Sequence, residues 1–335
     1  MDEHKKKVLE RFNRLPWIEK YRPHRITSIL LEDNVRNEIN KIVSNKEISN
    51  IIITGRPGIG KTTTIKCLAR HLYGQYYDQF VLELNASDDR GIKVENSIVR
   101  FCKSLVSIPK KEKKRYPFHK LIILDEADNI TVKAQHIISK LMEQYKNVTR
   151  FAFTCNTSYN IIEIIQSRCK IIRYQKVKNN KIETRLEDIC DIEKVLYTKD
   201  GLEHVAELCE GDMRNALNIL ELTFRKHNKI DIDLIADVYD KPHRQILKDI
   251  LNYCLNNNYK DAFKTTRELK DKGYTGTDIV SGFFSTIKSK YCNNIDNNIK
   301  LKINKIICNT IYNISKGCDT NLQLFAVIGK LCLLK

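Results

Sequence analysis

The stretch "NIIITGRPGIGKTTTI" at residues 50–65 decides the fold. Its apolar start predicts a β-strand, and "KTTTIKCLARHLYG" at residues 61–74 predicts a helix that ends at Gly74. Between them, "GRPGIGKT" at residues 55–62 matches the pattern G-x-x-x-x-G-K-[ST] in the strand–loop–helix context that this pattern requires. The sequence therefore predicts a loop that holds a nucleotide's phosphates.

The residue types in the loop suit phosphate binding. Its glycines allow a tight turn whose backbone N–H groups converge on phosphate oxygens, and the following helix adds the positive end of its dipole. We expect Lys61 to bridge the β- and γ-phosphates and the Thr62 hydroxyl to bind Mg²⁺. The predicted nucleotide contacts in the loop are Gly55, Arg56, Pro57, Gly58, Ile59, Gly60, Lys61, Thr62 and Thr63.

A second motif, "LIILDEAD" at residues 121–128, places acidic residues at the end of a buried strand. We expect Asp125 to hold Mg²⁺, directly or through water, and Glu126 to orient the attacking water. Asn156 ends the next predicted strand, where its amide faces the ligand crevice and is a candidate partner of the γ-phosphate or the water. Binding alone would not need Glu126, so hydrolysis of the nucleotide is predicted.

The first half of the chain alternates apolar runs with helical patterns, which predicts a parallel sheet covered on both faces. The five predicted strands are 50–54, 80–87, 120–128, 149–156 and 170–175. From about residue 177 the patterns are helical throughout, and Pro and charged residues at 241–243 suggest a linker. We therefore predict a nucleotide-binding domain at 1–176 and two helical domains at 177–238 and 239–335.

The composition narrows the class of protein. Lys and Arg number 58 against 41 acidic residues, so the net charge is +17, which favours a polyanionic partner, with nucleic acid ahead of a membrane. The alternative is a codon bias toward Lys, Asn and Ile. Eleven cysteines without a C-x-x-C pair, no secretory signal and no run of 18 apolar residues predict an intracellular protein that does not span a membrane.

Several motifs occur in order along the chain: "PWIEKYRP" (16–23), the phosphate loop, "LELNASDDRGI" (82–92), "LIILDEADNIT" (121–131), "CNTSYNIIEIIQSRC" (155–169), "GDMRNALNIL" (211–220), "VYDKPH" (238–243) and "DKGYTGTDIV" (271–280). Together they resemble, over about residues 15–290, the small subunits of replication factor C, the AAA+ sliding-clamp loader. The resemblance implies an AAA+ domain with a five-stranded parallel sheet, a helical lid at 177–238 and an all-α collar at 239–335.

The resemblance also implies a function, cofactors and partners. It implies an ATP hydrolase with Mg²⁺, which works in a heteropentamer with a large subunit and further small subunits. The pentamer would load a PCNA-type sliding clamp onto primer–template DNA during replication. The location would be nuclear in a cellular eukaryote and the host replication compartment for a virus.

Further site residues follow from the resemblance alone. Arg168 in "SRC" would be an arginine finger that acts on ATP held by the neighbouring subunit, and Arg214 in "GDMR" would reach the γ-phosphate from the lid. Tyr21, Arg22 and Pro23 would line the adenine side. The implied DNA contacts, at or near helix N-termini, are Arg90, Lys93, Thr131 and Lys133.

The basic loop at residues 107–120 departs from the family pattern through its many lysines. In the family this region approaches the clamp, and Ile108, Tyr116 and Phe118 are its apolar candidates for that contact. A solvated loop is the competing interpretation.

Two other functions are alternatives for a chain with this phosphate loop. An AAA+ DNA motor of the Holliday-junction branch-migration type would form a hexamer and unwind DNA, but the C-terminal third resembles a collar. A non-catalytic scaffold subunit would carry a damaged site, whereas Lys61, Thr62, Asp125 and Glu126 are all present.

Overall fold

The computed structural model describes residues 15–86, 92–104, 116–238, 242, 244–288, 295–318 and 320–334. The chain forms two compact units, Met1–Asp231 and Ile232–Lys335. Arg90, the greater part of the basic loop with Ile108, and most of the predicted linker at 241–243 lie outside the described residues.

A five-stranded parallel sheet forms the centre of the first unit, and its strand order is β2-β3-β4-β1-β5. The strands are β1 (Ile51–Thr54), β2 (Val81–Asn85), β3 (Lys120–Asp125), β4 (Thr149–Cys155) and β5 (Lys170–Arg173). All five strands therefore lie within the segments that the sequence predicts. The predicted strand at 120–128 extends too far, since the chain turns at 126–129 into a short 3₁₀ helix, Ala127–Asn129. The predicted strand at 80–87 begins one residue early, because Phe80 still belongs to the preceding helix.

The central strands β1 and β3 are buried on both faces, which explains why they are apolar runs rather than alternating patterns. Ile51 and Ile53 of β1 pack with one hydrophobic cluster, whereas Ile52 between them packs with the cluster on the opposite face. All three side chains are fully buried. The polar residues of β1 and β3 therefore lie at the strand ends, whereas the edge strand β2 carries the exposed Glu83 in its middle.

Helices cover the sheet and extend the first unit. They are α1 (Trp17–Lys20), α2 (Asp33–Asn45), α3 (Lys61–Tyr73), α4 (Tyr77–Phe80), α5 (Ile92–Lys103), α6 (Val132–Gln144), α7 (Glu163–Gln166), α8 (Asn179–Glu193), α9 (Lys199–Cys209) and α10 (Met213–His227). The predicted end of α3 at Gly74 is confirmed, and Gly74 has a φ of 49°, which a side chain rarely adopts. Thr131 is the N-cap of α6, because its hydroxyl oxygen accepts a hydrogen bond from Ala134 N.

One feature of the helical region after residue 177 was not predicted. A two-stranded parallel ladder joins β6 (Leu196–Tyr197) to β7 (Lys229–Ile230). Each strand has only two residues, too few for an alternating pattern to show in the sequence.

The second unit is helical in every part that the structure describes. Its helices are α11 (Ile232–Ala236), α12 (Arg244–Leu255), α13 (Tyr259–Asp271), α14 (Gly276–Lys288), α15 (Asn297–Ser315) and α16 (Thr320–Cys332). Helical spacing of apolar residues builds its core, as Leu324, Val327, Ile328 and Leu331 of α16 illustrate. Within the described residues, no helix has the length and apolar character needed to cross a membrane.

Candidate active site

A cavity opens at the carboxyl ends of β1, β3 and β4, the edge of a parallel sheet at which ligands usually bind. It lies within the first unit. The predicted residues that line it are Tyr21, Arg22, Pro23, Pro57, Gly58, Ile59, Gly60, Lys61, Thr62, Thr63, Asp125, Glu126, Asn156 and Arg214. Segments separated by almost two hundred residues in sequence thus meet around one space.

The phosphate loop packs directly against the start of α10. Met213 N donates a hydrogen bond to the carbonyl oxygen of Gly58 at 3.3 Å. Gly58 has a φ of 70°, and a Cβ atom there would lie 1.7 Å from Asp212 Oδ1. Glycine is therefore required at this position for two reasons, namely the left-handed backbone and the approach of the helix.

Lys61 is the central cation of the loop. Its Nζ donates to the carbonyl oxygens of Gly55 and Arg56, both at 2.7 Å, and to Asn156 Oδ1 at 2.9 Å. Burial lowers the pKa of Lys61, and the nearby carboxylates of Asp128 and Asp125 oppose that shift. Gly55 and Arg56 are not among the cavity-lining residues, and instead hold the lysine through their carbonyl groups.

Arg214 brings a second cation to the cavity from the second residue of α10. Asp212 caps that helix, because its Oδ1 accepts a hydrogen bond from Asn215 N at 3.0 Å. The positive charge of Arg214 contributes to the lowered pKa of Lys61. The positive charges of Lys61 and Arg214 repel each other across the cavity. A bound anion would offset this repulsion, so the site favours anion binding.

The acidic pair lies beside the start of α3. Thr62 Oγ1 donates to Asp125 Oδ1 at 2.8 Å, and Thr154 donates to the same carboxylate oxygen. Glu126 has a φ of 53°, an uncommon conformation for a residue with a side chain, and its carboxylate is exposed at the cavity. Asn129 Nδ2 donates to Glu126 Oε2 at 3.4 Å. The hydroxyl and carboxylate oxygens of Thr62 and Asp125 are hard donors of the kind Mg²⁺ prefers.

The segment 16–23, here called the strap, closes another side of the cavity. The Tyr21 hydroxyl and Lys20 Nζ both contact Glu193 Oε1 of α8 at 2.6 Å. Burial and the hydrogen bond to Glu193 raise the pKa of Tyr21. At its other end, the carbonyl oxygen of Pro23 accepts from Cys67 Sγ of α3 at 3.1 Å. The strap thus joins the lid helices to the helix that follows the phosphate loop.

Arg168 lies away from the cavity, which fits the prediction that it does not serve the ATP of its own chain. Its guanidinium is partly exposed, donates to the carbonyl oxygen of Ile164 at 2.9 Å and lies 3.5 Å from Glu143 Oε2. Thr131 and Lys133 are exposed at the N-terminal end of α6. Lys93 lies in α5, but its side chain is outside the described residues.

Sequence reasoning missed five charged or hydroxyl-bearing residues that line the cavity, namely Glu19, Ser28, Asp128, Thr154 and Arg185. Asp128 is the last residue of "DEAD" and Thr154 lies two residues before Asn156, so position relative to the motifs was an available signal. It also missed Gln135, which is buried and whose side chain contacts the backbone of Ile130, Asn160 and Ile162 at 2.8–3.0 Å. These bonds connect α6 to the loop that follows β4.

A phosphate loop after β1, an acidic pair at the end of β3 and an arginine from a helical lid define the class as a P-loop ATPase of the AAA type. Residues 51–177 match the model for the ATPase family associated with various cellular activities. Residues 184–225 match the RCF1/5-like AAA+ ATPase lid domain, and residues 242–330 match the replication factor C C-terminal domain.

Full-length relatives agree with these matches. The chain is 40% identical over 319 residues to replication factor C subunit 4 of Saccharomyces cerevisiae, covering 95% of each protein. It is 38% identical to replication factor C subunit 2 of Arabidopsis thaliana, covering 96% of this chain and 94% of the relative. The chain therefore belongs to the replication factor C family, and it is an ATP-hydrolysing subunit of a clamp loader.

Solved structures show the same fold at a greater distance. The RuvB Holliday junction branch migration motor of Thermotoga maritima aligns with a TM-score of 0.53 at 15% identity, covering 69% of this chain and 79% of RuvB. This likeness extends to the fold alone. The branch-migration alternative is therefore not favoured over the clamp-loader function.

Proposed function

We propose that this chain hydrolyses ATP with Mg²⁺ inside a heteropentameric clamp loader, and that this hydrolysis drives loading of a PCNA-type clamp onto primer–template DNA. The observation that carries the proposal is the convergence of Lys61 and Arg214 on the cavity that Asp125 and Glu126 also line. A polyphosphate fits this site because its oxygens can bind the two cations while its metal ion binds the carboxylate of Asp125.

Each residue has a separate role in this proposal. Lys61 and Arg214 bind the β- and γ-phosphates, and Glu126 orients the attacking water and accepts its proton. Thr62 and Asp125 would hold Mg²⁺, which when bound offsets negative charge on the phosphates. Asn156 binds the γ-phosphate or the water, while Tyr21, Arg22 and Pro23 line the adenine side.

Arg168 is proposed to act on the ATP of a neighbouring subunit. Its position outside this chain's cavity supports the role, as does its partial exposure. Charge that develops on the γ-phosphate would be stabilised only when a neighbour presents its own cavity to Arg168. Removal of an arginine finger costs roughly 10³-fold or more in rate.

DNA contacts are proposed at the N-terminal ends of α5 and α6, through Arg90, Lys93, Thr131 and Lys133. Exposure of Thr131 and Lys133 at the end of a 13-residue helix supports the part that the structure describes. Contacts of this kind reach phosphates, so binding would be independent of sequence and would weaken as salt rises.

The remaining proposals concern organisation and location. We propose domain divisions at 1–176, 177–238 and 239–335, which the order of the three family matches supports.

The composition supports an intracellular location, nuclear in a cellular eukaryote and in the replication compartment for a virus. The exposed Phe118 and the partly buried Tyr116 remain candidates for clamp contact.

The test is to purify the clamp loader through a tag on this chain and to compare Glu126→Gln, Arg168→Ala and the control Arg173→Ala, an exposed arginine on β5. We expect Glu126→Gln to retain ATP and lose hydrolysis at this site. Arg168→Ala should leave ATP binding by the isolated chain unchanged and lower hydrolysis by the complex. Full hydrolysis by Glu126→Gln would contradict the catalytic assignment, and weaker ATP binding by isolated Arg168→Ala would contradict action in trans.

A further inference from the structure

Asp128 connects the end of β3 to the end of β4 and has no role in the proposed reaction. It lies in the 3₁₀ helix Ala127–Asn129 that follows β3. Its Oδ2 accepts a hydrogen bond from the backbone N–H of Asn156 at 3.1 Å, immediately after β4. The carboxylate thus joins the turn after Glu126 to the residue that presents the Asn156 amide.

Asn156 is held from three directions. Besides Asp128 at its N–H group, the Thr54 hydroxyl of β1 donates to its carbonyl oxygen at 3.2 Å. Its side-chain Oδ1 accepts from Lys61 Nζ at 2.9 Å. The first two bonds fix the backbone, which leaves the side-chain amide as the part of Asn156 that responds to what lies in the cavity.

The second oxygen of Asp128 indicates that this carboxylate is not explained by packing alone. Asp128 Oδ1 is buried and has no hydrogen-bond partner among the described residues. Buried polar atoms are nearly always paired, so an unpaired one calls for an explanation, such as a catalytic role or a bound water or ion. Asp128 lines the cavity together with Asn156, so the group belongs to the same site.

We infer that Asp128 is a positioning residue that holds Asn156 where its amide meets the γ-phosphate or the attacking water. The inference rests on the proposed role of Asn156 and assigns to a second residue the placement of that amide. Because displacement of a catalytic group by about 1 Å costs up to about 10²-fold in rate, loss of one of two backbone anchors should slow hydrolysis.

The mechanism of this effect is indirect, so substitution of Asp128 should act on the rate and spare ATP binding. If Asn156 is displaced, Lys61 keeps its hydrogen bonds to the carbonyl oxygens of Gly55 and Arg56, and Arg214 stays on α10. The expected result is a fall in kcat with little change in affinity for ATP.

The experiment is a double-mutant cycle in the complex purified through this chain. We compare Asp128→Ala, Asn156→Ala and the double variant, with single-turnover hydrolysis at saturating ATP as the readout. We expect each single variant to be slower by on the order of 10-fold, and Asp128→Ala to cost less than about 2-fold once Asn156 is already alanine. Equal costs of Asp128→Ala in both backgrounds would overturn the inference.

Two further variants separate positioning from charge and from loss of fold. Asp128→Asn keeps an oxygen that accepts from Asn156 N–H, so it should recover most of the rate; a rate as low as that of Asp128→Ala would overturn the inference. Asp200→Ala removes an exposed carboxylate from the first turn of α9 and should leave hydrolysis unchanged.

The same measurements distinguish failure of the inference from failure of the proposed function. A slow Asn156→Ala beside a wild-type rate for Asp128→Ala would overturn only the positioning role. A wild-type rate for Asn156→Ala would remove the proposed role of Asn156, and the positioning inference with it.

Discussion

Trp17 N donates a hydrogen bond to Glu221 Oε2 at 2.8 Å, across 204 residues of sequence. The Trp17 ring also stacks on Phe224 with ring centroids 5.5 Å apart. Glu221 is buried in α10, and its other oxygen accepts from Arg225. The strap is therefore anchored to the helix that carries Arg214, which makes the side of the cavity that the strap closes dependent on the position of the lid.

Replacement of Glu221 should loosen this anchor. We expect Glu221→Ala to destabilise the protein by about 1–3 kcal/mol, because Trp17 N–H and Arg225 lose a buried charged acceptor. Trp17 is the single tryptophan of the chain, so its emission should shift to the red as the ring leaves Phe224. Urea unfolding and emission spectra measure both effects. The exposed Glu47 is the control, and equal behaviour of Glu47→Ala and Glu221→Ala would contradict the anchor.

A side chain at position 58 should disrupt the site itself. In Gly58→Ala the added Cβ would meet Asp212 Oδ1 at 1.7 Å, so the Asp212 side chain must shift and release its cap at the start of α10. We expect ATP affinity to fall by more than about 10-fold, since Arg214 lies in the first turn of that helix. Nucleotide titration of the isolated chain measures the loss.

Gly273→Ala is the matched control for Gly58→Ala. Gly273 also has a positive φ, 97°, but an added Cβ meets nothing within 4 Å among the described residues. This control should cost about 1 kcal/mol of stability and leave ATP binding intact. Wild-type ATP affinity in Gly58→Ala would show that the lid contact is dispensable.

Lys120 stabilises the end of α5 from the first residue of β3. Its buried Nζ donates to the carbonyl oxygens of Phe101 and Ser104 at 2.5 and 2.6 Å, and to Ser104 Oγ at 2.8 Å. Lys120→Met should destabilise the protein by about 1–3 kcal/mol and speed amide hydrogen exchange at the C-terminal end of α5. Lys103→Met, at an exposed position of the same helix, is the control. Unchanged exchange in Lys120→Met would refute the capping role.

His119 should make stability depend on pH. Burial lowers the pKa of His119 to about 4, with a smaller contribution from Arg150. Because an unfolded histidine binds a proton near pH 6.5, the unfolded state takes up the proton first as pH falls. Stability should therefore decrease from about pH 6.5 to about pH 4, by up to about 1.4 kcal/mol per pH unit.

The substitution His119→Leu tests this dependence. His119 Nε2 is buried without a hydrogen-bond partner among the described residues, so an apolar replacement loses no bond from that atom. We expect a similar stability at pH 7.5 and a flatter decline between pH 6.5 and 4 in urea titrations. An identical slope for the variant and the wild type would exclude His119 as the cause.

Much of the fold was predictable because the information was local. The apolar runs from Ile51 and from Leu121 predict buried parallel strands. Gly74 and Thr131 lie at helix ends, where the backbone conformation and hydrogen bonding of a few residues decide the boundary. The phosphate loop and "DEAD" were also predictable from local sequence, since each motif places its side chains at the end of the strand that precedes it. The two-residue strands of the β6–β7 ladder lacked such a pattern and were missed.

The sequence by itself determined the class of fold, the phosphate loop and the acidic pair, because spacing along one strand, loop or helix sets where those groups point. Only the tertiary structure decided which distant groups meet. Arg214 lies near enough to Lys61 to lower its pKa, and Asp212 lies close to Gly58. Glu221 accepts a hydrogen bond from Trp17 N, and Asp128 accepts one from Asn156 N. Such contacts depend on how the lid, the strap and the sheet pack, and no short-range pattern encodes that packing. The phosphate loop of residues 55–62 is thus one wall of a site whose other walls come from residues 16–23, 125–128 and 212–214.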